Sequence, residues 1–519
     1  MRRATLTALL PLVLLSACTL LRSGSQPATV RFTPHIIPVE AGAIQNAGAG
    51  TEIWNGGPDD GLTNLVRYAV RVSDHSANAM IRVGWDAYET REGDYHFEKM
   101  DRTFQLCLQH GQKLNIGCFV TSNAGTKQKI DGAFCCYPAY VHEAMQRSAQ
   151  KDTVNTLWLN KTAHWEPNFS NPYFAERYEA LLRAFAAYLE QPVTAGGKTV
   201  PRKKLVRCIE LRPFGFWGEG AYPKPLIPSD SATLIRIADA YARHFPDIRL
   251  VVPTNGMRFT PAYDPLKDYH FHLLSLRNRA GLAGLFRDNW GDDEARYQSI
   301  YYAANRYEKE GVKMFELLRD RWKSAPLVGE PGRWGPTKDG FHPYWGLLEQ
   351  VSYLHPAMIR NCNVSTGRST TNPTDYSILD DPRALDAFHR MYARIGFRYL
   401  ITEASITRTE KGLQIAADWK NIGLTPTYDA WVIRYTLEDE AGRTVWSGDS
   451  TLDLRTLLPD AAAEPGSLSG QAVSHTDSFQ RVPKGGKLWL RIVDPDGISP
   501  PLALSIQGRD GQGAYCLTP

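Results

Sequence analysis

Two glutamates stand in settings that suit acid–base and nucleophilic chemistry. Glu219 closes the run Ile209-Glu210-Leu211-Arg212-Pro213-Phe214-Gly215-Phe216-Trp217-Gly218-Glu219-Gly220, and Glu330 lies in Pro326-Leu327-Val328-Gly329-Glu330-Pro331-Gly332. Each follows a short apolar run, is flanked by glycine, and so reads as an acid at the end of a strand. Two carboxyls ~5 Å apart can cleave a glycosidic bond with retention, one protonating the leaving oxygen while the other attacks the anomeric carbon. The acid of such a pair must hold its proton at rest. Trp217 beside Glu219 and a negative Glu330 opposite would both push the Glu219 pKa upward.

The pair needs a frame that brings two distant strand ends together. Short apolar runs alternate with helical patterns from Thr51 onward. The strands expected are Ala79–Trp85, Leu114–Val120, Val206–Leu211, Leu250–Val252, Gly281–Arg287, Pro326–Gly329 and Ala357–Asn361; helices are expected at Phe97–His110, Phe174–Leu189, Ser231–His244, Tyr301–Trp322, Tyr344–Leu354 and Pro382–Ile395. Repeated strand–helix alternation predicts an α/β fold, a (β/α)8 TIM barrel over residues 51–396, with its active site at the carboxyl ends of the strands. Glu219 then follows strand four and Glu330 strand seven. After Phe397 short alternating segments are split by turn formers such as Asp494-Pro495-Asp496-Gly497, which predicts a small C-terminal β-sandwich over 397–519.

The segment Trp85-Asp86-Ala87-Tyr88-Glu89-Thr90-Arg91-Glu92-Gly93-Asp94-Tyr95-His96-Phe97, followed by Asp101, resembles the strand-two segment of clan A glycoside hydrolases of the β-galactosidase type. The resemblance implies that Glu219 is the acid/base and Glu330 the nucleophile, that Arg82 on strand two supports the nucleophile, and that Trp85 borders the substrate. Most of the chain also resembles a group of bacterial lipoproteins of poorly defined activity with a Gly-x-Trp-Gly-Glu segment and a C-terminal sandwich. One departure stands out. The clan A acid/base usually follows an Asn that bonds the sugar 2-hydroxyl, whereas Gly218 precedes Glu219 here. That contact must then come from elsewhere, with Asn168 and Asn255 as candidates, or the substrate lacks that requirement, or the enzyme has lost its activity.

Further candidates lie at expected strand ends. Trp217, Trp290 and Trp334 could stack on sugar rings, Asp288 could bond hydroxyls, and Asn361 ends the last strand at the same mouth. The histidines show no metal-ligand spacing, and neither a phosphate-binding glycine loop nor a Gly-x-Ser-x-Gly elbow is present, so no cofactor is implied. The substrate expected is a β-linked glycan, with a non-catalytic glycan-binding scaffold as the alternative. Carboxyls ~5 to 6 Å apart would favour retention; a gap beyond ~10 Å, or an acid locked in a salt bridge, would favour binding. The loops Thr121–Ala139 and Tyr263–Arg279 are long enough to close the cleft.

Composition narrows the remaining classes. Lys+Arg 59 against Asp+Glu 55 leaves a diffuse +4, without the basic clustering of a nucleic-acid binder. Thirteen Trp and 24 Tyr suit a carbohydrate cleft as well as a core. Arg2 and Arg3 precede an apolar run, Leu6–Leu15, and then Ser16-Ala17-Cys18, the order of a lipoprotein signal peptide over 1–18 with Cys18 as the lipidated residue. Residues 19–50 are then a tether and lead-in, and the expected location is a bacterial membrane surface, the outer membrane before the inner. The other cysteines are expected as buried thiols, with a bridge conceivable only from Cys135-Cys136.

Overall fold

The computed structural model describes residues 28–55, 78–122, 126–147, 155–159, 162–220, 230–254, 266–290, 307–331, 350–352, 354–360, 382–460 and 466–518. Eight strands close a barrel: β1 (Gly50–Asn55), β2 (Asn78–Gly84), β3 (Lys113–Phe119), β4 (Val206–Glu210), β5 (Arg249–Pro253), β6 (Gly284–Trp290), β7 (Leu327–Pro331) and β8 (Met358–Arg360). Neighbours in sequence are neighbours in the barrel, every pairing is parallel, and β8 returns to β1. The strands are apolar runs because both faces are covered. Ile81, Ile116, Ile209, Leu250, Leu285 and Ile359 face outward and pack in one core with the helices. Cys208, Val251, Phe286, Val328 and Met358 form a separate cluster, one residue out of phase with the outward-facing set on one strand after another, and fill the inside.

The helices begin and end where local chemistry allows. Asn171 caps Pro172–Glu190 by accepting from the Tyr173 and Phe174 amides, and Asp230 caps Ser231–His244 through Thr233. Asp101–His110 stops at Gly111, which is left-handed. Two expectations are corrected here. Among the described residues of Tyr301–Trp322, Glu308–Lys309 and Val312–Lys313 form a hairpin ahead of the short helix Met314–Arg319. The turn is made by Glu310 and Gly311, both at positive φ, which interrupts the helical run. The sixth strand starts later than expected, at Gly284, because Gly281–Leu282 pairs with Arg277–Asn278 in a separate hairpin.

The C-terminal region is two four-stranded antiparallel sheets around one core that includes Ile401, Trp419, Tyr435 and Leu490. One sheet holds Tyr399–Thr409, Gly412–Asn421 and Val473–Gln480, and its edge is completed by Thr29–Phe32 from the lead-in. Leu502–Gln507 joins the sheets through an isolated bridge, Ile506 to Ile36, and single backbone bonds.

These sheets sit against the amino-terminal ends of the barrel strands. Arg207 on β4 pairs with Asp429 at 3.0 Å, Arg249 at the start of β5 donates to the Tyr428 carbonyl, and Lys113 at the start of β3 lies 3.5 Å from Asp494. Tyr428 packs on the interior cluster and donates its hydroxyl to the Trp322 carbonyl. The sandwich therefore floors the barrel and leaves the opposite end for chemistry.

Candidate active site

Buried charge enters the barrel on several strands. Glu52 on β1, Arg82 on β2, Glu210 on β4 and Arg360 on β8 are each embedded in an apolar run and buried. Arg360 bonds Glu52 at 2.7 Å and also contacts Glu210; Arg212, just beyond β4, donates to Glu210 at 2.5 Å. Gly117 on β3 makes room for this, since a Cβ there would press on the Arg212 side chain. The guanidiniums of Arg82, Arg212 and Arg360 lie 4.9, 4.3 and 4.8 Å from the centre of the Phe286 ring, so one aromatic face supports three cations.

Above this layer the structure brings together three residues singled out in the sequence. Carboxylate oxygens of Glu219, Asp288 and Glu330 all lie within 4.8 Å of one another. Arg82 bridges two of them with a single Nη1, 3.2 Å from Glu219 and 3.3 Å from Glu330. Its Nε lies 3.7 Å from Glu210, and Arg212 Nη1 lies 3.6 Å from Glu219. Glu219 and Glu330 are buried, and Asp288 is half-buried. Burial first, then Asp288 and Glu330, push the Glu219 pKa well above the usual carboxylate range, against the opposing pull of Arg82 and Arg212. Arg212 is itself pushed down to about 9, by burial and then by Arg82. Converging carboxylates can also ligate a hard cation. Here Arg82 already bridges two of the three carboxylates.

The loop carrying Glu219 explains the glycine before it. Phe216–Gly218 is a single 3-10 turn in which Trp217 is left-handed (φ 52°), with Gly215 and Gly218 at φ 89° and 67° on either side. The Trp217 amide donates to the Thr121 carbonyl at 2.8 Å, and its own carbonyl accepts from Arg212 at 3.0 Å. A Cβ at position 218 would collide with the Cβ, Cα and carbonyl of Arg212. An asparagine is therefore excluded there by both conformation and space. Phe216 is supported from an inserted four-stranded sheet, through His164, whose ring centre is 4.7 Å away.

β6 and β7 meet irregularly where Asp288 sits. Arg287 pairs with Gly329 and Trp290 with Pro331, so β6 carries an extra residue in the interval and bulges. The bulge turns Trp290 onto Gly329, where it is buried in the outer core. Trp290 thus belongs to the packing between strand and helix and not to the cleft. Trp85 is likewise fully buried, bonding Glu89 at 2.8 Å and packing edge-on against Phe174 and Tyr178. Asn168 uses its Oδ1 to accept the Ser170 amide in the turn before Asn171. Trp217 keeps partial exposure beside Glu219. Asn255, Trp334, Asn361 and Cys18 lie outside the described residues.

Glu210, Arg212, Glu52 and Phe286 were not singled out by sequence reasoning. A charge every second residue inside a buried strand was the available signal for the first two. Of the two long loops, Thr121–Ala139 supplies part of the inserted sheet, while the helix Lys267–Ser275 in Tyr263–Arg279 packs beside Ser231–His244 in the outer layer. The cysteines among the described residues are free, and Cys135 and Cys136 donate to the Tyr137 and Ser122 carbonyls. Among the described residues no helix is long and apolar enough to cross a membrane.

No protein-family model matches the sequence, and no curated protein matches it. Solved structures similar to the chain include endo-glycoceramidase II from Rhodococcus sp. as its lactosyl-enzyme intermediate, at 13% identity and TM-score 0.42, covering 85% of this chain and 99% of that one. Another is GH5_18 from Streptomyces cattleya in complex with GlcNAc, at 12% identity and TM-score 0.38, covering 66% of this chain and 79% of that one. CbXyn10B in its native form is similar at 10% identity and TM-score 0.37, covering 66% of this chain and 95% of that one.

Proposed function

We propose that the protein is a retaining glycoside hydrolase acting on a β-linked glycan by double displacement, with Glu330 as nucleophile and Glu219 as acid/base. One observation carries the reading: oxygens of the two carboxyls lie within 4.8 Å of each other across the mouth of a closed barrel, a spacing that favours double displacement over an inverting reaction. In the first step Glu330 bonds the anomeric carbon as the bond to the leaving oxygen breaks, and that oxygen takes the proton of Glu219. In the second step the Glu219 carboxylate accepts a proton from water. The water oxygen bonds the anomeric carbon, and Glu330 departs as a carboxylate. Arg82 touches both acids with one nitrogen. Burial, and then the neighbouring Asp288 and Glu330, keep the proton on Glu219.

A non-catalytic glycan-binding role draws on the same burial of both acids against Arg82. The two readings separate in one assay. A 2-deoxy-2-fluoro aryl β-glycoside with a good leaving group should label Glu330 covalently, with mass spectrometry locating the adduct. Glycan binding without labelling or turnover would favour the binding role.

We also propose that the chain is exported and held at a bacterial membrane through a lipid on Cys18. Replacing Cys18 with Ser should move the protein from the detergent-soluble membrane fraction to the aqueous one. An unchanged distribution would refute the anchor.

A further inference from the structure

Within the glycosidase reading, we propose that Asp288 is a substrate-contacting catalytic residue. Its carboxylate accepts the hydrogen bond of the sugar 2-hydroxyl, so the enzyme's substrates are β-glycosides with that hydroxyl free. The argument begins with space. During turnover the anomeric carbon lies between Glu330 and Glu219, and Asp288 has an oxygen within 4.8 Å of an oxygen of each. A group that close to both acids borders carbon 1 and its two ring neighbours, the ring oxygen and carbon 2. An ionised carboxylate only accepts hydrogen bonds. The ring oxygen carries no hydrogen, so the hydroxyl on carbon 2 is the donor within reach.

The backbone supports the same placement. β6 is regular through Phe286, whose ring faces the barrel interior, and then takes its extra residue between Arg287 and Trp290. Asp288 lies two positions beyond Phe286 on the same strand face, next to the irregularity, and is more exposed than Glu219 or Glu330. It sits on the solvent side of the two buried acids, where a sugar enters. Position 218, by contrast, cannot carry a side chain, because Arg212 fills the space. Asn168 has its Oδ1 committed to a turn.

The chemistry rewards a charged acceptor here. As the leaving group departs, positive charge grows at carbon 1 and the ring oxygen, and the adjacent O2–H becomes more acidic. Its hydrogen bond to an anion therefore strengthens in the transition state, which is the condition for raising the rate and not only the affinity.

The test compares Asp288→Asn with wild type on 4-nitrophenyl β-D-glucoside and β-D-galactoside and on their 2-deoxy counterparts. The change is isosteric, and thermal melting together with fluoroglycoside labelling of Glu330 reports on the fold and the rest of the site. The expected result is a loss of about 100- to 1000-fold in kcat/KM on the 2-hydroxy substrates, with less than about tenfold lost on the 2-deoxy ones. Equal losses on both would overturn the proposal and leave Asp288 as an electrostatic or structural neighbour of Glu219. Asp288→Glu should recover part of the 2-hydroxy rate, and no recovery beyond Asn would also count against it. A wild-type protein that turns over and labels with none of these compounds removes the glycosidase reading itself, and this assignment with it.

Discussion

The two ends of the barrel treat a carboxyl in opposite ways. At the floor, burial pushes the Asp429 pKa upward, but Arg207, Lys113 and Arg249 outweigh it and hold the group below its usual value. At the mouth, burial pushes Glu219 the same way, and Asp288 and Glu330 add to it faster than Arg82 and Arg212 subtract. Asp429 is surrounded by cations and stays ionised, as a fastening between barrel and sandwich requires. Glu219 sits among anions and keeps its proton, as a general acid requires. Asp429 is also the more exposed of the two, and neighbouring charge of opposite sign completes the separation of the fastening from the candidate catalyst.

The sharpest way to break this contrast is to remove the nucleophile. Glu330→Ala should lower kcat by at least about 10^4-fold, the scale seen when a covalent catalyst is lost, with little change in melting temperature. Comparable turnover in the variant would end the assignment. Glu219→Gln should cost about 10^2- to 10^4-fold on glycosides with poor leaving groups, and much less on activated aryl glycosides, which need little protonation. The sign with pH follows from the raised pKa. Wild-type kcat/KM should fall as pH rises through the Glu219 value, placing the alkaline limb above the ordinary carboxylate range, and the Gln variant should lack that limb. Equal losses on both leaving groups would remove Glu219 from the role.

A third substitution asks whether the mouth can be rebuilt in the usual clan A pattern. Gly218→Asn installs the missing asparagine, yet the position is left-handed and blocked by the Arg212 backbone. The expected outcome is a stability loss of about 1–3 kcal/mol and reduced activity, read by chemical denaturation and kcat/KM. Improved turnover would mean that the loop rearranges and that Gly218 is not a steric necessity.

How much of this was legible in the sequence depends on the range of the signal. Glu219 and Glu330 could be picked out because a glycine-flanked acid after an apolar run is a local pattern, and counting alternations placed them on strands four and seven. The eight-fold closure followed from the same alternation. Trp85 and Trp290 were read as cleft residues because a tryptophan at a strand end looks alike whether its ring faces the mouth or the helices. Only the bulge between Arg287 and Trp290 and the packing on Phe174 and Tyr178 decide the matter, and both are tertiary. The Glu52–Arg360–Glu210–Arg212 network joins three distant segments, so no single stretch announces it. The broken helix before Trp322 was hidden by apolar residues at helical spacing, and the positive φ at Glu310 overrode the period.

The floor supplies the smallest expected effect and the cleanest separation of folding from chemistry. Asp429→Asn keeps the shape but removes the charge facing Arg207, Lys113 and Arg249. Breaking a partly buried pair of this kind should destabilise the protein by about 1–3 kcal/mol at pH 7, with kcat unchanged because the site lies at the other end of the strands. The folded-state pKa of Asp429 is depressed. Its stabilising contribution is therefore present above the unfolded value of about 3.9 and is lost as pH falls through the folded one. Denaturant unfolding of the two proteins should accordingly differ most at pH 6–7 and converge in acid, once pH has fallen through the depressed folded pKa. A gap that stays constant with pH would assign the loss to packing around Tyr428. A drop in kcat equal to the drop in stability would show that floor and mouth are coupled after all.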